Sequence, residues 1–374
     1  MDKKYDYLIV GAGLFGAVFA ERITAIGKSC LVIDKRPHIG GNVFCEDMDG
    51  IQVHKYGPHV FHTHNKEIWQ YVNSFASFNR FTYSPLACYQ ERLFNLPFNM
   101  NTFNRLWNVQ TPTEAKMKIA EQCEKNADII EPANLEEQAL KTCGEDIYRF
   151  FIKGYTEKQW GKSAKELPPF IIKRITFRFI YDNNYFDDPF QGIPVGGYNQ
   201  IIEKMLNKSE VLLNTDFFRH RAQFIELAPK IVFTGCIDEF FDYRLGKLEY
   251  RSLRFEHKRI ETENFQGNTV INYTERDVPY TRVIEHKHFD FGQQPFTIVT
   301  HEYPATCSEQ NEPYYPVNDM PNMKLYNRYL ELAATCPNIA FRGRLGQYSY
   351  FDMDDTIESA LWSVSKELQL FTSF

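Results

Sequence analysis

Gly11, Gly13 and Gly16 form a G-x-G-x-x-G turn, and Asp34 follows 23 residues after the first of them. Glycine at these places permits a tight turn, close approach of backbone to a pyrophosphate, and helix-on-strand packing. A carboxylate at the later position suits ribose hydroxyls. Such spacing is weak by itself, and its context gives it force. "YDYLIV" (5–10) reads as a strand before the turn, and "AVFAERITAI" (17–26) has helical spacing at Val18, Phe19, Arg22, Ile23 and Ile26, ended by Gly27. "SCLVID" (29–34) is a second buried strand, so 5–34 reads as one βαβ unit whose helix N-terminus faces an anion.

A second stretch with chemistry is "KYGPHVFHT" (55–63), which sets Tyr56, a Gly-Pro pair, His59 and His62 between hydrophobic segments. It could be a metal pair, an acid-base pair or a stiff turn under a cofactor. Zinc would need further ligands, and the eight cysteines never fall into a C-x-x-C pair, which also excludes a dithiol centre and a disulfide framework. The metal expectation is therefore none, and the turn reading is preferred.

The residues after Asp34 choose the dinucleotide. "DKRPHIGGN" (34–42) places Gly40 and Gly41 in a D-x5-GG arrangement, expected of FAD-binding folds and not of simple NAD dehydrogenases. "KIVFTGCID" (230–238) offers a later strand and turn, and "FRGRLGQYSYFDMDDTIESAL" (341–361) puts Arg344 after a strand and Asp352 to Asp355 at a helix start.

Around these motifs the chain of 374 residues, 43% hydrophobic and 24% charged, has the balance of a soluble protein with more than one core. Net charge is −6 with no dense Lys/Arg run, which argues against nucleic acid, and the opening residues pass straight into the glycine turn, as in a cytoplasmic protein without membrane insertion. Aromatic residues make up 16%, enough for bulky cores and an aromatic-lined ligand site. From about 65 to 165 the signals are helical: Thr111, Pro112 and Glu114 cap one helix, Asn134 and Glu137 start another that Gly144 ends, and "EDIYRFFIKGYTEKQWG" follows as a longer one. Strands are expected at 176–181, 211–214, 230–234, 252–256, 269–274, 281–285 and 296–300, then a helix near 323–334, strand "NIAFRG" and helix "DTIESALWSVSKEL". There is no internal repeat and no low-complexity linker, so the domains interleave along the chain.

"YDYLIVGAGLFGAVFAE", "HIGGN", "YGPHVFHT", "LFNLPFNMNTF", "GYTEKQWGKSAKELPPFIIKRI", "IPVGGYNQIIEKML", "EYRSL", "PYTRVIEHKHF" and "EPYYPV" together resemble the bacterial UDP-galactopyranose mutases from end to end. The resemblance implies an α/β (α+β mixed) fold: a discontinuous Rossmann-like FAD domain (1–64, 194–242, 322–374), a helical insert (65–150), and an antiparallel-sheet substrate domain (151–193, 243–321) with a mobile lid near 162–176. It implies interconversion of UDP-galactopyranose and UDP-galactofuranose by a homodimer, for surface polysaccharide, on FAD kept reduced by an external reductant. In that family N5 of the reduced flavin attacks the anomeric carbon, and a flavin-sugar iminium lets the ring reclose.

Residue by residue, the match assigns Arg174 and Arg282 as the catalytic arginines that neutralise a diphosphate. Phe151, Tyr155, Thr156, Trp160, Tyr185, Asn272, Tyr315, Tyr350 and Asp352 are the implied substrate contacts. Gly11, Gly13, Leu14, Phe15, Asp34, Lys35, Arg36, Gly41, Asn42, His59, Thr234, Gly235, Arg344, Asp352 and Met353 are the implied FAD contacts. There are two departures: Asp34 stands where many relatives carry Glu, and Tyr83 where Asn is expected, which bears on the sugar pocket and keeps UDP-N-acetylgalactosamine as an alternative substrate. A flavin oxidoreductase on the same fold would share the glycine motifs but not the paired arginines. A flavin-free binding protein would not need the complete glycine and "HIGGN" elements.

Overall fold

The computed structural model describes residues 4–172, 176–308 and 311–371. Five parallel strands form one sheet in the order Ile339–Phe341, Lys230–Phe233, Tyr7–Val10, Cys30–Ile33, Glu210–Leu212. A parallel sheet is covered on both faces, so its strands read as unbroken apolar runs, as "YLIV" and "CLVI" do. Alternation still sorts them: Tyr7, Ile9, Cys30, Val32 and Val232 enter one core with the helices Leu14–Ala25 and Met353–Phe371, while Leu8, Leu31, Ile33, Ile231 and Phe233 enter a second core rich in phenylalanine.

A seven-stranded sheet runs Tyr315–Pro316, Tyr250–Ile260, Thr297–Thr306, Arg282–Glu285, Val270–Tyr273, Leu86–Tyr89, Arg92–Asn95. It is antiparallel except where Val270–Tyr273 meets Leu86–Tyr89. The helices Met100–Trp107, Pro112–Glu124 and Leu135–Ile147 pack beside it on a third core that includes Phe94, Phe103, Leu135 and Phe151. The capping box at Thr111 and Glu114 is present, and Asn134 caps through the Glu137 amide at 3.0 Å.

Three sequence expectations differ from this architecture. The 65–165 stretch is not wholly helical, because "LACY" and "RLFN" form a hairpin that extends the seven-stranded sheet. Residues 176–181 form no strand; their pairing is a single bridge, Phe98 to Phe177, with Arg178 N–H on the Phe98 carbonyl at 2.9 Å. Gly144, expected to end the helix before it, does break the helical geometry with φ 80°. The long helix expected over 145–161 is not regular: a π-helical turn covers Tyr148–Ile152, and the α-helix resumes at Lys153–Trp160. Close approach explains the irregularity: a Cβ on Gly154 would lie 2.5 Å from the Thr274 carbonyl, and the Phe150 carbonyl accepts from Thr274 Oγ1 at 2.6 Å. Among the described residues no helix is long and apolar enough to cross a membrane.

Candidate functional site

A cavity of about 850 Å³ lies where the first glycine turn, the start of the helix Met353–Phe371, the helix Lys153–Trp160 and the seven-stranded sheet meet. The part of its wall built by the glycine turns is made of backbone. Gly11 has φ 114°, and a Cβ there would sit 2.0 Å from Thr234 Oγ1; a Cβ on Gly16 would sit 2.1 Å from the Gly11 carbonyl oxygen. Gly13 bridges to Gly40, and a Cβ on Gly41 would fall 2.9 Å from Gly13 Cα, so the two glycine turns close on each other only without side chains. The helix that follows has Gly13 at its N-cap with no side-chain cap, which leaves its first amides for an anion.

Asp34 closes the second strand with Oδ2 on the Ala12 amide at 2.8 Å and Oδ1 on the Arg36 amide at 2.9 Å. Arg36 crosses to Asn42 Oδ1 at 3.0 Å, pairs with Glu312 and lies over the Tyr56 ring at 4.4 Å. Of the expected cofactor residues, Gly13, Leu14, Phe15, Asn42, His59, Thr234, Arg344, Asp352 and Met353 line the cavity. Gly11, Asp34, Arg36, Gly41 and Gly235 are not among the lining residues, and Lys35 is exposed. Arg344 is held by the Tyr314 carbonyl at 2.6 Å and lies 5.5 Å and 5.6 Å from the Tyr315 and Tyr350 rings, which stack on each other at 5.8 Å.

On the side of the seven-stranded sheet Arg282 meets Glu302 in a two-point pair, Nε to Oε1 at 2.9 Å and Nη2 to Oε2 at 2.7 Å. The pair follows from sheet register, since Arg282 stands opposite Glu302 on one side and Asn272 on the other. Burial works against the guanidinium charge, and Glu302, 2% exposed, together with smaller contributions from Tyr155, Tyr315 and Tyr83 outweighs it in sum, so Arg282 stays cationic. Phe151, Tyr155, Thr156, Trp160, Tyr185, Asn272, Tyr315, Tyr350 and Asp352 all line the same cavity. Burial pushes the Tyr155 and Tyr350 phenols up, which keeps them neutral hydrogen-bond donors. Arg174 lies outside the described residues.

In the 55–63 stretch, residues 55–60 turn and Phe61–Thr63 is a strand paired with Phe190–Gly192. Gly57 has φ 103°, and His59 Nδ1 meets the Gly57 carbonyl at 2.8 Å. A carbonyl only accepts, so Nδ1 carries the proton and Nε2 keeps its lone pair. Behind it, His54 Nδ1 accepts the His59 amide (3.1 Å) and His286 Nδ1 accepts the His54 amide (3.2 Å). His286 Nε2 then donates to Thr300 Oγ1 (2.6 Å), whose proton goes to His257 Nδ1 (2.7 Å). Burial holds His59 down to about 4, His54 to about 3 and His257 to about 4, so the chain is neutral near pH 7. His62 does not join it: its Nδ1 meets Asp188 Oδ2 at 2.6 Å and its ring stacks on Phe186 at 3.6 Å. Among the described residues no group of three or more His, Cys, Asp or Glu could hold a metal.

Sequence reasoning missed Arg178 and Glu302. Arg178 lines the cavity with a side chain 9% exposed, donates to the Asn184 carbonyl and to the Tyr185 carbonyl at 3.1 Å, and so props the loop that carries Tyr185. Glu302 would have needed the strand register to be found. Tyr83, singled out as a departure, lines the cavity with its ring edge-on to Tyr185 at 5.5 Å and stacked on Phe186 at 5.5 Å.

A family model described as UDP-galactopyranose mutase matches residues 150–350, and one described as an NAD(P)-binding Rossmann-like domain matches residues 9–75. The chain is 40% identical over 362 residues to a Klebsiella pneumoniae protein named probable UDP-galactopyranose mutase, covering 95% of this chain and 93% of that one. It is 39% identical over 363 residues to the dTDP-fucopyranose mutase of Escherichia coli, covering 95% and 96%. Among solved structures, a reduced UDP-galactopyranose mutase superposes with a TM-score of 0.74 at 16% identity over 98% of this chain and 94% of that one, which speaks to the fold.

Proposed function

The chain belongs to the UDP-galactopyranose mutase family, and from that premise we propose that it interconverts UDP-galactopyranose and UDP-galactofuranose without net redox change, using reduced FAD. The observation that carries the reading is the Arg282–Glu302 pair, set into the wall of the same cavity that a side-chain-free glycine cradle opens onto. The pair suits a diphosphate leaving group and the cradle a dinucleotide.

The cradle fits FAD through the bare turns at Gly11, Gly13 and Gly41, the uncapped helix start at Leu14, and the lining residues Asn42, Thr234, Arg344 and Met353. The chemistry that FAD supplies when bound and reduced is a nucleophilic nitrogen for the anomeric carbon. Arg282 balances the charge that grows on the diphosphate as the anomeric bond breaks, with Arg174 as the second cation. Tyr155 and Tyr350 donate to phosphate oxygens, while Phe151 and Trp160 give the base an apolar bed. His59 Nε2, kept neutral, offers a lone pair at the cofactor end. Closure of the 162–176 lid over the nucleotide keeps water from the open sugar.

The same reading takes the protein to be a cytoplasmic homodimer that draws electrons from an external reductant and supplies galactofuranose for surface polysaccharide. It divides the chain into the FAD, helical and sheet segments laid out above. A second substrate reading rests on the dTDP-fucopyranose mutase similarity, and Tyr83 in the cavity keeps the N-acetylated sugar in view as a third.

The test is turnover of UDP-galactopyranose, dTDP-fucopyranose and UDP-N-acetylgalactosamine by purified protein, with and without dithionite. The expected result is a yellow protein that is active when reduced and nearly inactive when oxidised, with UDP-galactopyranose the best of the three. Full activity in the oxidised state, or none on any of the three sugars, removes the proposal.

A further inference from the structure

Lys158 has no part in the chemistry above. It lies on the helix Lys153–Trp160, and its Nζ is within hydrogen-bond distance of four backbone carbonyls, so that one of its three protons is shared: Tyr273 at 2.8 Å, Glu275 at 2.9 Å, Val278 at 2.9 Å and Tyr280 at 2.7 Å. All four belong to one chain reversal, the 273–280 turn between the strands Val270–Tyr273 and Arg282–Glu285. Carbonyls that point inward in a turn repel one another and need donors. An ammonium has three protons, no lone pair and a compact charge, so it can serve several such oxygens from one point.

The cage lies at the root of the substrate end. Asn272 and Arg282, which stand opposite each other in register at the two ends of this turn, line the cavity together with Thr274 in the turn, and Tyr155, Thr156 and Trp160 line it from the helix that carries Lys158. Two further contacts join helix to turn: the close approach of Gly154 to the Thr274 carbonyl, and Arg276 Nη1 to Glu157 Oε2 at 3.4 Å. Neither gathers the turn from inside as the ammonium does.

We propose that Lys158 is a positioning residue whose ammonium, caged by the 273–280 turn, fixes Arg282 and Asn272 against the helix that bears Tyr155 and Trp160. The inference rests on the mutase reading of the cavity. Without the cation the turn loosens, and Arg282 can drift from the diphosphate. A displacement of about 1 Å at such a group costs on the order of a hundredfold in rate, and the loss falls on the transition state, where the diphosphate charge is largest.

The experiment compares wild-type protein with Lys158→Met, which keeps the stem and removes the cation, and Lys158→Arg, whose flat fork cannot serve four converging oxygens. Flavin absorbance and thermal denaturation measure folding, steady-state kinetics measure the reaction, and amide exchange reports on residues 273–281. The expected result is flavin-replete variants with kcat about tenfold to a hundredfold lower, KM within about threefold, and faster exchange in the turn. Normal kcat per folded molecule in either variant overturns the proposal. So does failure of both variants to accumulate as folded flavoprotein, which makes Lys158 a folding element. If wild-type protein has no mutase turnover, the mutase reading fails, and the clamp is judged by exchange alone, where unchanged protection in Lys158→Met overturns it.

Discussion

Arg282 shows what a single residue carries here. Its guanidinium is paired at two points with a carboxylate that is 2% exposed, so Arg282→Ala removes a cation from the cavity and also leaves Glu302 buried without a counter-charge. The second effect is expected to cost about 3–5 kcal/mol of stability, and the first to lower kcat about 10²- to 10³-fold. The two are separable. In the double variant Arg282→Ala/Glu302→Gln the stranded charge is gone and Thr281 Oγ1, now 3.0 Å from Glu302 Oε1, keeps a partner, so stability should largely return while turnover stays low. Chemical denaturation beside steady-state kinetics checks this. Recovery of turnover together with stability would mean that Arg282 acts on the fold alone.

The elements around the cavity differ in how far the sequence announces them. The glycine turn was legible because its requirement is steric and local: Gly11, Gly16 and Gly41 each stand where a Cβ would strike a neighbour. Helix starts at Thr111 and Asn134 were legible for the same reason, since a cap is read by its own neighbours. The π-helical turn at Tyr148–Ile152 was not, because its cause is 124 positions away, where Thr274 Oγ1 meets the Phe150 carbonyl. Glu302 and the cage of Lys158 were hidden likewise, one by strand register and the other because its acceptors are carbonyls that every residue has. Thr274→Val tests the π-turn account. It keeps the shape, deletes the hydroxyl that also reaches the Cys88 carbonyl at 3.1 Å, and should lower unfolding stability by about 1–2 kcal/mol. Urea titration measures it, and a change within error would show that the Phe150 carbonyl needs no side-chain partner.

At the scale of the molecule, the buried histidines join the Gly57–Pro58 turn in the cavity wall to the seven-stranded sheet. Folding holds His54 at about 3 and His59 and His257 at about 4, against an ordinary value near 6.5 for an exposed imidazole. The cause is burial in each case, with the Gly57 carbonyl and neighbouring cations as smaller influences on His59. Because the folded pKa values are depressed, the unfolded chain binds more protons below pH 6.5. The stability these groups contribute is therefore complete above that pH and is lost as pH falls through about 4. Each pKa unit of depression corresponds to about 1.4 kcal/mol, so the summed loss across the window is on the order of 10 kcal/mol. Carboxylates titrate mainly at the lower edge of this range, which makes the upper part, between about pH 6.5 and 5, the histidines' own. In that interval the thermal midpoint of the wild-type protein should fall steadily with acid. His54→Asn, whose amide oxygen can still accept the His59 N–H without titrating, should show a shallower slope there, and its flavin should stay bound to a lower pH. Equal slopes in the two proteins would mean that His54 is not held neutral, and that the turn owes its rigidity to Gly57 and Pro58 alone.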